Sequence, residues 1–216
     1  MPTSSFKLCT YSSNPPSPPF PKGGLGGIIP EAKEGDVTME LEKTIGNRLR
    51  EKGWTISIAE SCTGGLICDR ITDVSGSSDY FQGGMVTYSN ESKAKYLGIP
   101  LDYIKRYGAV SPQVARKMAE GIRKAFHTTF GLSTTGVAGP TGGTKRAPIG
   151  RVFIGIADGR RTWVKRLDLR GNRRTIKKKS AEKALHFFYD AMQHSKGTQL
   201  AVAVSKRRKK SMRGHS

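Results

Sequence analysis

The sequence predicts an α/β fold, a three-layer α/β/α domain built around a mixed sheet. Three observations carry that prediction. Short β-rich runs alternate with amphipathic stretches of helical period between residues 39 and 195. Late in the chain two such runs, RVFIGIA and TWVKRLDL, flank Asp158-Gly159, a strong hairpin signal; an antiparallel pair added to strands separated by helices makes the sheet mixed. At 216 residues the chain is long enough for one well-buried domain and short for two.

The elements follow in order. Leu41, Ile45 and Leu49 recur at spacing four, which predicts a helix ending near Gly53. WTISIA (54–59) alternates as a strand, and Thr63–Thr72 reads as a helix entered through Gly64-Gly65. GMVTYS (84–89) predicts a second strand, with a short helix after it through Leu97. SPQVARKMAEGIRKAF (111–126) opens with Ser at the N-cap and Pro at N1, a strong helix start. LSTTGVAG (132–139) is a strand running into a glycine-rich loop, and a last helix spans about Arg173 to Gln193.

The flanks differ in composition. Residues 1–38 include SSNPPSPPFPKGGLGG, too dense in Pro and Gly for helix or strand to persist, and predict a disordered leader. Met39, which opens the first helical pattern, is a candidate start. SKRRKKSMRGHS ends a basic tail, residues 196–216, that is predicted to be solvated and disordered. The net charge of +20 is uneven: the leader is balanced, the tail holds seven basic residues and no acidic one, and the middle carries the rest, much of it between Arg160 and Lys183. Such charge favours anions in general, whether nucleotide phosphates, RNA or acidic surfaces, without choosing among them.

Several classes are disfavoured. No apolar run reaches the length of about 18 residues that a membrane helix needs, and no basic segment precedes an apolar h-region as in a secretory signal. Three cysteines (Cys9, Cys62, Cys68) fit a reducing cytoplasm better than a disulfide framework. The four histidines are scattered and no CxxC or HxxxH spacing occurs, so neither a metal nor a cofactor is expected.

In open α/β sheets ligands gather beyond the carboxyl ends of strands, which makes three loops candidates. AESCTGG (59–65) sets a hydroxyl, a thiol and a second hydroxyl before paired glycines, at a helix start whose N–H groups suit an anion or oxyanion. Read locally it fits a helix cap, with Ser61 or Thr63 bonding the first turn, as well as a nucleophile. YSNESKAK (88–95) offers Lys93 as a base if burial lowers its pKa, with Tyr88 relaying a proton or orienting the amine. TTGVAGPTGGTKRAPIG (134–150) is rich enough in glycine to cradle a ligand but matches no phosphate-loop motif.

Together these stretches resemble the CinA C-terminal domain family, the nicotinamide mononucleotide amidohydrolases. The resemblance runs from about Met39 to Gln193 through AESCTGG, ITDVSGSSDYFQGGMVTYSNESKAKYLGI, YGAVSPQVARKMAEG, TTGVAGPTGG and LRGNRRTIKKKSAEKAL. The chain looks like the stand-alone form, as nothing in it resembles the molybdopterin-binding-like domain of longer CinA proteins. The resemblance implies hydrolysis of the carboxamide of nicotinamide mononucleotide, with Ser61 as nucleophile, Lys93 as general base and Tyr88 beside it. It assigns supporting, substrate-binding roles to Ser78, Thr135 and Arg173, and it implies a homo-oligomer, expected to be a dimer. Two departures stand out: NESK replaces NEAK, putting Ser92 beside the base, and GPTGG replaces the commoner GPDGG, putting Thr141 where an aspartate would help to position substrate.

Elementary chemistry agrees with these assignments. Beside YSNESK, AESCTGG has a base suited to a hydroxyl and no histidine for a thiol, which favours Ser61 and leaves Cys62 as a packed neighbour. Backbone N–H groups around Cys62–Gly65 are expected near the oxyanion, with Thr63 as a cap and Gly64 against the substrate. Arg173 suits a phosphate, which a guanidinium can bind in bidentate fashion. Two rivals belong to other classes: a basic nucleic-acid-binding protein that uses the 160–183 cations and the tail non-specifically, and a non-catalytic regulatory relative. No RRM, KH or zinc-finger signature supports the first, and the intact Ser61, Tyr88 and Lys93 set argues against the second.

Overall fold

The computed structural model describes residues 39–195; the expectations for the leader 1–38 and the tail 196–216 fall outside the described residues. A five-stranded sheet has the order β2-β1-β3-β4-β5, formed by β1 (Ile56–Glu60), β2 (Phe81–Val86), β3 (Phe130–Gly136), β4 (Arg151–Ala157) and β5 (Thr162–Asp168). β1 runs parallel to both β2 and β3, whereas β4 is antiparallel to β3 and to β5. The mixed sheet is therefore as predicted, and the hairpin falls at 158–161, where Ala157 pairs with Thr162.

Two apolar layers cover the sheet. On one face α1 (Met39–Lys52), α2 (Leu66–Thr72) and α6 (Arg173–His194) bury Ile45, Leu49, Ile67, Ile71, Leu185 and Phe188 against Ile58, Leu132 and Ile154. The rings of Trp54, Phe130 and Phe188 meet edge to face, with centroids 5.3 Å apart at each step. On the other face α3 (Asn90–Leu97), α4 (Leu101–Tyr107) and α5 (Pro112–Ala125) supply Leu97, Ile104, Val114, Met118 and Ile122 over Ala59. Each of these aliphatic side chains contributes roughly 1.5–3 kcal/mol on leaving water. No helix among the described residues is long and apolar enough to cross a membrane.

Helix starts follow the sequence closely where a side chain caps them. Ser111 accepts from the Val114 amide at 3.2 Å ahead of Pro112, and Asn172 accepts from the Thr175 amide at 2.9 Å. β1 spans Ile56–Glu60 rather than 54–59 and β3 spans Phe130–Gly136 rather than 132–139; two further boundaries and one helix also differ from expectation. β2 begins at Phe81 rather than Gly84, because Gly83 and Gly84 lie inside the strand: a Cβ at Gly84 would meet the Cys68 sulfur of α2. α2 begins at Leu66, since residues 61–65 turn through positive φ at Gly64 (64°) and Gly65 (98°). α4 is unanticipated, because seven residues that bury only Ile104 give too little periodicity to read.

The chain leaves β1 along one face through α2 to reach β2, then crosses the other face through α3–α5 to reach β3. Strand order therefore reverses around β1, and a crevice opens at the carboxyl ends of β1, β2 and β3. Phe188→Ala is expected to cost about 3–5 kcal/mol, read as a drop in the chemical denaturation midpoint; a loss below about 1 kcal/mol would contradict the core placement.

Candidate active site

That crevice is a cleft of about 330 Å³ lined by Ser61, Tyr88, Lys93, Thr135, Thr141 and Arg173, with Ala109 and Val110 closing one side. Ser61 is the first residue beyond β1. Its amide donates to the Thr134 carbonyl at 3.0 Å, so the backbone stays paired to β3 up to the residue that bears the hydroxyl.

Glu60, the last residue of β1, is fully buried and organises the turn that follows. Its carboxylate accepts from the amides of Gly65 (2.9 Å), Ile67 (3.1 Å) and Cys68 (2.9 Å). These are among the donors that a helix start leaves without partners. The capping that sequence suggested for Ser61 or Thr63 is thus done by Glu60 from the strand. Thr63 is not a cap and does not line the cleft: its buried hydroxyl bonds that of Thr134 at 2.7 Å, stapling the turn to β3. Of the amides over Cys62–Gly65, that of Gly65 is taken by Glu60, while those of Cys62, Thr63 and Gly64 donate to no protein acceptor among the described residues; the expected oxyanion donors narrow to these three, of which Cys62 lines the cleft.

Lys93 enters from the first turn of α3 and is 1% exposed. Its Nζ lies 2.7 Å from the Thr87 carbonyl, 3.5 Å from the Ser89 carbonyl and 3.4 Å from Ser61 Oγ. No carboxylate pairs with it among the described residues, and burial lowers its pKa from the ordinary lysine value. In the neutral amine two N–H bonds can serve the two carbonyls, which leaves the lone pair for the Ser61 hydroxyl. The Ser89 that supplies one carbonyl also caps α3. Ser89 Oγ accepts from the Ser92 amide at 3.0 Å, while Ser92 Oγ accepts from the Ser89 amide at 3.1 Å. Ser92, the departure from NEAK, thereby completes a capping box next to the base.

The thiols are silent here. Burial, with the nearby Glu60 charge adding to it, pushes Cys62 up to about 12, so almost no thiolate exists at neutral pH.

The structure places the remaining sequence candidates as follows. Tyr88 lines the cleft but makes no bond to Lys93; it is 61% exposed, and its hydroxyl accepts from Arg173 Nη2 at 2.9 Å. Orientation of the amine falls instead to the carbonyls on either side of Tyr88. Arg173 Nη1 donates to the Gly139 carbonyl at 2.7 Å, so its guanidinium bridges the 139 loop and Tyr88. Thr135 donates its hydroxyl proton to the Ala109 carbonyl at 2.8 Å and faces a ligand as an acceptor only. Gly64 is exposed at the turn, beside Lys177. Ser78 is not brought in. It sits exposed in a 3-10 turn just before β2, at the amino end of a sheet whose carboxyl end carries the site. Glu60, the Thr87 and Ser89 carbonyls and the Ala109-Val110 wall carried no sequence assignment, although an acidic residue closing an otherwise buried strand was a visible signal for Glu60.

The fold and site together define a three-layer α/β/α protein with a serine–lysine pair at its strand switch point. The chain belongs to the CinA C-terminal domain family, whose sequence profile matches residues 38–192. It is 51% identical over 146 residues to a CinA-like protein of Syntrophus aciditrophicus (strain SB), covering 67% of this chain and 35% of that protein. It is 47% identical over 152 residues to a CinA-like protein of Kosmotoga olearia, covering 70% and 37%. The chain thus spans about a third of the length of these relatives. Among solved structures it is similar to the competence/damage inducible protein CihA of Agrobacterium tumefaciens, with 30% identity and a TM-score of 0.69 over 76% of this chain and 98% of that one. The competence damage-inducible protein A (ComA) of Klebsiella pneumoniae is also similar, with 28% identity and a TM-score of 0.70 over 73% and 98%.

Two outcomes check this geometry. Glu60→Ala, which strips three amides of their acceptor, is expected to cost about 3 kcal/mol or more in chemical denaturation; a change under about 1 kcal/mol would refute the anchoring role. For Lys93, the unfolded chain holds a proton that the folded chain releases between the lowered pKa and the ordinary value of about 10.4. Wild-type stability relative to Lys93→Met should therefore climb as pH rises through that window, and melting curves from pH 7 to 10 that keep a constant gap would contradict it.

Proposed function

We propose that the chain is an amidohydrolase that cleaves the carboxamide of nicotinamide mononucleotide to nicotinate mononucleotide and ammonia. The observation that carries this reading is Lys93: a buried amine without a carboxylate partner among the described residues, held by two carbonyls with Ser61 Oγ 3.4 Å away. A distance of that size is usual for an unliganded site, which tightens when substrate is bound.

The chemistry proceeds by acyl transfer. Neutral Lys93 takes the Ser61 proton as Oγ forms a bond to the carboxamide carbon, and the carbonyl oxygen becomes an oxyanion facing the Cys62 amide, with the free amides of Thr63 and Gly64 behind it. The Lys93 ammonium then gives its proton to the departing nitrogen, and the C–N bond breaks to release ammonia and leave an ester on Ser61. Water attacks that ester while Lys93 accepts its proton. Collapse returns the proton to Ser61 Oγ and frees the acid. The Thr135 hydroxyl has acceptor capacity for the substrate, and the Arg173 guanidinium that lines the cleft favours its phosphate. Family membership and the family motifs present in the chain support the substrate assignment.

Ser61→Ala is expected to abolish ammonia release from nicotinamide mononucleotide with an unchanged melting curve. Lys93→Arg should fall at least about 100-fold, because a guanidinium stays protonated. The wild-type kcat/KM should rise with pH through the lowered Lys93 pKa, as the neutral amine is the active form. A Ser61→Ala protein that keeps most of its activity would overturn the assignment.

A further inference from the structure

A second cavity, of about 410 Å³, opens between the start of α2 and the first two turns of α6. Its lining is Leu66, Arg173, Arg174, Lys177 and Lys178, with no carboxylate among these residues. Arg173 also lines the Ser61 cleft, so the two cavities adjoin.

The arrangement works against helix stability. Positions 173, 174, 177 and 178 fall on one helical face, where like charges at i, i+4 repel. They also stand at the positive pole of a 22-residue helix whose first turn has no acidic residue. Arg174, Lys177 and Lys178 form no ion pair and donate to no protein acceptor among the described residues. Arg173 is different, since its terminal nitrogens already hold the Gly139 carbonyl and the Tyr88 hydroxyl. Lys177 reaches furthest inward. A Cβ at Gly64 would lie 3.1 Å from its Nζ, so glycine leaves room for the ammonium beside the turn that carries Ser61.

We propose that Arg174, Lys177 and Lys178 form a phosphate-binding subsite next to the catalytic cleft, while Arg173 positions Tyr88 and the 139 loop. A phosphate dianion there neutralises the repulsion and takes charge-assisted hydrogen bonds from three cations that have no protein partner among the described residues. The phosphate belongs either to the substrate or to a free phosphate bound beside it. Only the substrate source rests on the amidohydrolase reading.

Calorimetric titration of the full chain with inorganic phosphate, at ionic strength held constant with chloride, tests the subsite directly. Wild type should bind, and Arg174→Ala/Lys178→Ala should bind at least about tenfold more weakly. The pair Arg174→Gln/Lys178→Gln, which keeps extended side chains over the helix, gives the same reading if the alanine variant folds poorly. In phosphate-free buffer the double variant should melt at or above wild type, since like charges have been removed. Nicotinamide mononucleotide titrated into phosphate-saturated protein then separates the sources: mutual displacement assigns the subsite to the substrate's phosphate, and simultaneous binding assigns it to a free phosphate. Phosphate binding without any nicotinamide mononucleotide binding would leave the subsite standing and remove the substrate reading. Wild type that does not bind phosphate, or double variants that bind it as tightly as wild type, would overturn the proposal.

Discussion

The site depends on one buried carboxylate. Glu60 ends β1 inside the sheet and turns its oxygens onto three amides at the start of α2. A strand-to-helix turn with two glycines at positive φ has many conformations available to it, and three hydrogen bonds to one fixed acceptor select one of them. Ser61 is carried on that turn, held on its other side by the Thr134 carbonyl. The arrangement has a chemical consequence. Glu60 occupies the start of α2 as a built-in anion, so the Gly65, Ile67 and Cys68 amides are not open to a ligand's negative charge.

Lys93 shows the opposite balance between stability and function. Burying an amine without a counter-ion costs stability, and the neighbours do little to offset it except with carbonyls. Those carbonyls accept hydrogen bonds but cannot fix a positive charge as a carboxylate would, so burial lowers the pKa of the amine and favours its neutral form. Placement of the amine relies on the α3 start, where the Ser89–Ser92 capping box fixes the same Ser89 whose carbonyl meets Nζ. Helix capping and base positioning are therefore one local structure.

Charge is divided by location. The cations of α6 crowd the carboxyl end of the sheet, beside the cleft. A second basic group, including Arg116, Arg123, Arg160 and Arg161, surrounds the β4–β5 hairpin. There, however, Glu120 takes part, bonding Lys117 and Thr162. No acid among the described residues lines the α6 cavity, which shares Arg173 with the Ser61 cleft.

Much of the architecture was legible in the sequence. The hairpin, the capped starts of α5 and α6 and the mixed sheet follow from local chemistry, because turn residues and N-caps act over a few positions. The serine–lysine pairing was legible through motif resemblance, and their side chains do meet in one cleft. Other assignments failed where the answer lay in a distant contact. Thr63 reads as a cap, yet β3 claims its hydroxyl. Tyr88 reads as the partner of Lys93, yet α6 claims its hydroxyl through Arg173. Ser78 belongs to the same motif run as Tyr88, but β2 lies between them and carries the two to opposite ends of the sheet. The sequence by itself determined which residue types stand at each strand end and which local turns they form. Only the tertiary structure decided which oxygen meets which nitrogen, because that choice depends on strand register and helix docking between residues about 30 to 85 positions apart.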